Sequence, residues 1–198
     1  MSATNRIRKD GEATVRDVDD DYATPSWCVR AIAPYVVPDK PGATVLDPCA
    51  GRGNVLLTLS EIAPWIRCMG VEIDMGRAKN LTWFTQPGDC CCTDALGCDP
   101  WPKTDLVLTN PPYRRALDFV VRALEEGRDN ETTVAMLLRL NFLGSQQRSS
   151  FWKQNPCEVY VLSRRPSFTG KGTDATEYAW FVWGPGRRAT WQTLDPSS

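Results

Sequence analysis

Residues 43-ATVLDPCAGRGNVLLTLSEIA-63 run an apolar segment into an acid, then into a Gly-x-Gly turn, then into a second apolar segment with helical spacing. This order predicts a strand over 43–48, a tight turn, and a helix over 54–63. Glycines at 51 and 53 allow the backbone to approach a ligand closely. The helix start offers free N–H groups and a positive dipole to something polar or anionic. Taken alone, such a turn is about as often a plain strand-to-helix connection. The next apolar run gives it direction, because 66-IRCMGVEI-73 carries Glu72 at its end, 21 positions after Gly51. In dinucleotide-type folds that is where an acid meets a ribose hydroxyl pair, so the spacing points to a nucleoside-bearing ligand.

The same alternation continues along the chain. Helix-like 75-MGRAKNLTWF-84 leads to the short strand and loop 89-DCCCTDAL-96, and strand 105-DLVLTN-110 leads to helix 115-RALDFVVRALEEG-127 and strand 132-TTVAMLLRL-140. Strands alternating with helices predict a mainly parallel sheet with right-handed crossovers. The runs 157-CEVYVLSR-164 and 177-EYAWFVWG-184 are separated by a polar, Gly-containing loop, which predicts an antiparallel hairpin closing the sheet. Trp180 and Phe181 alternate faces there, so at most one of them can face a substrate. The 139-RLNFLGSQQRSSFW-152 segment reads equally as a substrate loop or as a connection into an amphipathic helix with Phe151 and Trp152 in the core.

Composition narrows the chemistry. The 198 residues are 42% hydrophobic, enough for one globular core, and residues 1–20 are polar, charged and aperiodic, as in a mobile arm. One domain is expected over 21–190. There is no run of about 18 apolar residues and no apolar centre near the start, so a cytoplasmic protein without membrane contact is expected. The eight cysteines include no Cys-x-x-Cys pair and the chain has no histidine, which predicts a reduced protein without metal and excludes Ser-His-Asp and Cys-His catalysis. Net charge is −1, yet residues 139–188 hold eight bases against three acids, a distribution equally suited to phosphates or to an ordinary solvated surface.

The stretch 107-VLTNPPYRR-115 places a rigid polar step directly after an apolar strand. Proline cannot donate to a sheet, so the strand should stop at Asn110 and hold Asn110 to Tyr113 as a fixed loop at its C-terminal edge, where open α/β sheets hold ligands. An exocyclic amino group on a base is a poor nucleophile because its lone pair is delocalised into the ring. The Asn110 side-chain oxygen and the Pro111 carbonyl can accept both amino hydrogens and turn the lone pair outward. Pro111 and Pro112 hold these acceptors still, and the Tyr113 ring offers a stacking face. An acid for the adenine amino group is available in Asp94 or in Asp89.

Together DPCAGRGN, VEID, TDAL and VLTNPPY resemble, in order and spacing, the AdoMet-dependent class I methyltransferases that modify amino nitrogens, in particular small phage-type DNA N6-adenine methyltransferases. The segment 22-YATP-25 resembles that family's Tyr-x-Thr-Pro, which packs on the methionine end of AdoMet, and 164-RRPSFTGKGTDATEYAWFVW-183 resembles its base-contacting hairpin. The resemblance covers about residues 22–184. It implies a Rossmann-like, mainly parallel seven-stranded sheet with a C-terminal antiparallel hairpin. It implies an AdoMet site of Tyr22, Thr24, Pro25, Asp47, Ala50, Gly51, Gly53, Glu72, Ile73, Asp94, Ala95 and Asn110, and catalysis at Asn110, Pro111, Pro112 and Tyr113. Phe168 would stack on a flipped base, with Arg139, Arg164, Arg165 and Lys171 on the DNA backbone. The chain departs from the sequence-specific DNA enzymes in having only short insertions instead of a large target-recognition region. Cytosine N4, RNA adenine and protein glutamine are the alternative acceptors, and a non-catalytic binding protein is the alternative of a different class.

Overall fold

The computed structural model describes residues 23–81, 86, 88–128, 131–168 and 172–195. The expected arm over 1–20, Tyr22, the last residues of the helix expected to reach 84, and Lys171 lie outside the described residues.

The chain enters through α1 (Ser26–Val36) and then alternates: β1 (Thr44–Asp47), α2 (Asn54–Ile62), β2 (Arg67–Glu72), α3 (Met75–Leu81), β3 (Cys90–Cys92), β4 (Leu106–Thr109), α4 (Ala116–Gly127) and β5 (Thr133–Arg139). A short helix α5 (Ser149–Gln154) then precedes β6 (Glu158–Leu162), β7 (Tyr178–Trp183) and β8 (Thr190–Leu194). The sheet order is β3-β2-β1-β4-β5-β7-β6-β8. The pairs among β1 to β5 are parallel, while β7 runs antiparallel to both β5 and β6. From β1 the chain winds outward to β3, then returns to β4 on the other side of β1. The point where the winding reverses is therefore the β1/β4 boundary, and the crevice beyond those two strand ends is where such sheets bind ligands.

The sheet has eight strands, one more than expected, and the last of them ends at Leu194. β8 pairs parallel with β6 over Glu158↔Thr190 to Leu162↔Leu194, but only Leu194 of its five residues is buried. An edge strand held mainly by backbone hydrogen bonds leaves little apolar alternation in the sequence, which is why TWQTL gives no strand signal. Helix α1 is also new. Its buried residues Cys28, Val29, Ile32, Ala33 and Val36 fall on one face, and Pro34 lies inside it without ending it.

Both sheet faces are covered, so the two buried layers read directly off β7. Trp180 belongs to the layer under α1 and α2 with Ile32, Leu56 and Leu59; Phe181 belongs to the layer under α4 with Phe119, Val120 and Phe142. The expected face alternation holds, and neither ring is open to a substrate. Phe151 and Trp152 pack against the second layer from α5, which selects the amphipathic-helix reading of that segment. Trp180 is fully buried and donates its indole N–H to the Cys28 carbonyl at 3.0 Å, tying α1 to the sheet. Trp180→Ala is expected to cost about 3–5 kcal/mol of stability. Trp191→Ala on exposed β8 should stay within about 0.5 kcal/mol in the same urea titration.

Candidate active site

At the end of β1, Asp47 is 1% exposed, and its Oδ1 accepts the Cys49 N–H at 3.0 Å. This bond starts the turn that carries Ala50 and Gly51 back over the sheet, where Ala50 N–H donates to the Val71 carbonyl at 2.9 Å. Gly51 and Gly53 take φ of +55° and +84°, a conformation side chains disfavour, and Gly53 caps α2. The Gly-x-Gly signature is thus required by the backbone path.

Glu72, at the end of β2, holds that turn in place. Its Oε2 accepts the Gly51 N–H at 2.8 Å, its Oε1 accepts the Asp74 N–H at 2.8 Å, and the Arg77 guanidinium lies 3.2 Å from Oε1. The residue is 6% exposed. Its carboxylate therefore shapes the binding loop as well as facing the cavity, a second duty that strand-end spacing does not reveal.

Burial pushes the Asp47 carboxyl up to about 7, against the Cys49 N–H hydrogen bond, which lowers it. The unfolded value is about 3.9. Between these values the unfolded chain releases the proton while the folded chain keeps it, so the contribution of Asp47 to stability falls as pH rises from about 4 to 7. Urea titrations across that range should show Asp47→Asn flattening the decline, by up to about 1.4 kcal/mol per pH unit.

A cavity of about 280 Å³ opens at the β1/β4 crevice. Of the expected cofactor residues, Thr24, Asp47, Ala50, Gly51, Glu72, Ile73, Asp94, Ala95 and Asn110 line it. Pro25 and Gly53 stand behind the wall, as N-caps of α1 and α2. Geometry also separates the two rival acids. Asp94 faces the cavity and reaches Arg115 at 3.2 Å, whereas Asp89 is buried and accepts from the Arg67 guanidinium, with Nε at 2.8 Å. Asp89 is a structural residue.

The Asn110 amide sits at the end of β4 between two hydroxyls. Its Nδ2 donates to Thr24 Oγ1 at 3.1 Å, and its Oδ1 accepts from the Tyr113 hydroxyl at 2.8 Å. Pro112 lines the cavity, while Pro111 is buried as the stiffener of the turn. The Tyr113 ring turns away from the cavity. It lies 5.6 Å from the Tyr178 ring, and the Arg139 guanidinium is 4.8 Å from its centroid.

The expected substrate contacts are rearranged. Phe168 is 8% exposed and meets Tyr178 edge-on at 5.1 Å, so its ring is packed rather than offered for stacking. Arg139 covers the Tyr113 ring and donates to the Tyr178 hydroxyl at 3.3 Å; Arg164 lies 4.4 Å over Trp27; Arg165 pairs with Glu177 at 3.1 Å. All three arginines are engaged within the fold, Arg139 and Arg164 over aromatic rings and Arg165 with an acid. Sequence reasoning missed Arg52, Arg77, Arg114 and Arg115 on the cavity wall. Arg114 and Arg115 come directly after Tyr113, so their adjacency to NPPY was the available signal.

A parallel sheet of this order with an antiparallel strand at β7 is the class I methyltransferase fold. Scanned against known protein families, the chain matches none. It is 32% identical over 73 residues, 35% of its length, to the 4-amino-L-phenylalanine/4-methylamino-L-phenylalanine methyltransferase of Streptomyces pristinaespiralis. It spans about a quarter of that relative's length, 25%. Among solved structures it superposes with a TM-score of 0.66 and 15% identity on a Listeria monocytogenes protein assigned to the class I S-adenosylmethionine-dependent methyltransferases, covering 93% of this chain and 71% of that one. With a TM-score of 0.67 and 17% identity it matches the methyltransferase subunit of a type I restriction-modification system from Streptococcus thermophilus, over 84% of this chain and 45% of that one. Among the described residues no helix is long and apolar enough to cross a membrane, and no group of three or more metal-ligating side chains occurs.

Proposed function

We propose that this protein transfers a methyl group from AdoMet to an amino nitrogen attached to a planar ring, with adenine N6 in DNA as the substrate. The observation that carries the reading is the Asn110 amide: its oxygen already accepts a hydrogen at 2.8 Å, at the cavity edge where a target amino group would donate. The cavity residues suit AdoMet, since a positive-φ glycine turn admits close backbone approach and Glu72 and Asp94 put acids at two neighbouring strand ends. When bound, AdoMet supplies an electrophilic methyl group on a sulfonium. The chain's own part is to orient the nucleophile. Asn110 Oδ1 and the Pro111 carbonyl accept the amino hydrogens, and Pro112 fixes the turn that holds them. No histidine base is required, because the proton can leave after transfer.

Arg114, exposed on the cavity wall beside Pro112, is placed to meet an anionic group of the substrate. For a nucleotide that group is a phosphate. A small aromatic amino acid would offer a carboxylate instead. This second reading has its own support in the Streptomyces relative and in the internal engagement of Arg139, Arg164 and Arg165, which leaves fewer cations for a DNA backbone.

The deciding experiment incubates the protein and AdoMet with unmethylated genomic DNA and, separately, with 4-aminophenylalanine, and identifies products by mass spectrometry. N6-methyldeoxyadenosine supports the leading reading. N4-methyldeoxycytidine keeps the mechanism and changes the base. Methylated 4-aminophenylalanine alone transfers the reading to small aromatic amines, and calorimetry showing no AdoMet binding would sink both in favour of a non-catalytic binding protein.

A further inference from the structure

We infer that Thr24 is a positioning residue that sets which end of the Asn110 amide faces the substrate. The inference rests on the N-methyltransferase reading above. An asparagine side chain has nearly the same shape either way round, but its two ends have opposite polarity. A target amino group donates hydrogens, so an amide turned the wrong way would present N–H against N–H.

Two hydroxyls hold the amide, and their chemistry differs. Tyr113 is a phenol, which donates strongly and accepts weakly. Burial of that phenol keeps it protonated, pushing its ionisation well above the ordinary tyrosine value. Thr24 is an aliphatic hydroxyl, the better acceptor of the two. The observed arrangement, Nδ2 to Thr24 at 3.1 Å and Oδ1 to Tyr113 at 2.8 Å, is the matched one. Asn110 Oδ1 keeps a second lone pair for a substrate amino group, so the Tyr113 hydroxyl can go on donating to it while Thr24 accepts from Nδ2, and the pair together holds the amide the right way round.

Thr24 is itself firmly placed. It is 4% exposed, and Pro25 after it restricts its backbone to extended conformations. Pro25 caps α1, accepting the Cys28 N–H at 3.0 Å, and the Cys28 carbonyl is bonded to buried Trp180. A hydroxyl 86 residues away in sequence is thus carried to the amide by a helix pinned to the sheet.

The test uses Thr24→Val, which keeps the shape and removes the hydroxyl, and Thr24→Ser, which restores it. Thr24→Val should lower kcat about 30-fold, with Thr24→Ser within about 3-fold of the parent. Because Thr24 also lines the cavity, AdoMet affinity is measured alongside. In an Asn110→Asp background either carboxylate oxygen can accept, so orientation loses its meaning and Thr24→Val should cost less than about 3-fold further. Equal losses in both backgrounds, tracking weaker AdoMet binding, would overturn the inference. An activity-independent measurement is hydrogen exchange of the ¹⁵N-labelled Asn110 side-chain amide, whose protection should drop in Thr24→Val. Unchanged protection overturns the orienting role even if no methyl acceptor is ever found, whereas a wild type inactive on every amino substrate, with protection lost in Thr24→Val, overturns the functional reading alone.

Discussion

Asn110→Ala is expected to reduce methyl transfer by about 10³-fold or more while AdoMet affinity stays within about 3-fold, because the amide oxygen acts on the incoming amino group rather than on the cofactor. The structure sharpens the expectation in two ways. Asn110 belongs to a chain of contacts from Thr24 through Tyr113 to Tyr178, so truncation leaves the Tyr113 hydroxyl without its 2.8 Å acceptor. The loss of two neutral hydrogen bonds at part-buried positions costs stability on the order of 2 kcal/mol, too little to unfold the protein. Single-turnover transfer and AdoMet calorimetry on the same preparation therefore separate chemistry from binding. A parallel fall in both would mean that Asn110 is a cofactor residue and that the amino group is oriented elsewhere.

Strand ends were legible in the sequence because each is marked by chemistry as well as by pattern: Asp47 before the glycine turn, Glu72 after an apolar run, Asn110 before two prolines. β8 was not, since four of its five residues are exposed and its pairing with β6 rests on the backbone. The same distinction runs through the cavity and its surroundings. Residues on the β1, β2 and β4 ends reach the cavity as expected, because the strand positions them. Arg139, Arg164, Arg165 and Phe168 were assigned from charge and resemblance, and their side chains are long or flexible enough to find partners inside the fold. Position along a strand predicts where a side chain starts. Where its far end settles depends on Tyr113, Trp27, Glu177 and Tyr178, which sequence reasoning cannot place beside them. Glu72 shows a third case, where location was legible and half of the role was not.

Glu72→Ala should weaken AdoMet binding by about 100-fold or more and lower stability by about 3 kcal/mol, a combination that Asn110→Ala lacks. Two N–H donors and one cation converge on this carboxylate: the Gly51 N–H, the Asp74 N–H and the Arg77 guanidinium, whose side chain is 16% exposed. Removing the acceptor takes the nearer of two carboxylates from a largely buried cation and frees the turn that forms one cavity wall. Glu72→Gln separates charge from shape. Because none of the three partners can accept a hydrogen, an amide must point its own NH₂ at one of them, so glutamine should rescue less than half of the lost stability despite its equal volume. Urea titrations with and without AdoMet check both parts at once, since a ligand stabilises the folded state only as far as it binds. Wild type should gain stability as AdoMet is raised and both variants should gain little. A Glu72→Gln protein as stable and as AdoMet-responsive as wild type would show that the carboxylate charge is dispensable and that the Gly51 turn holds itself.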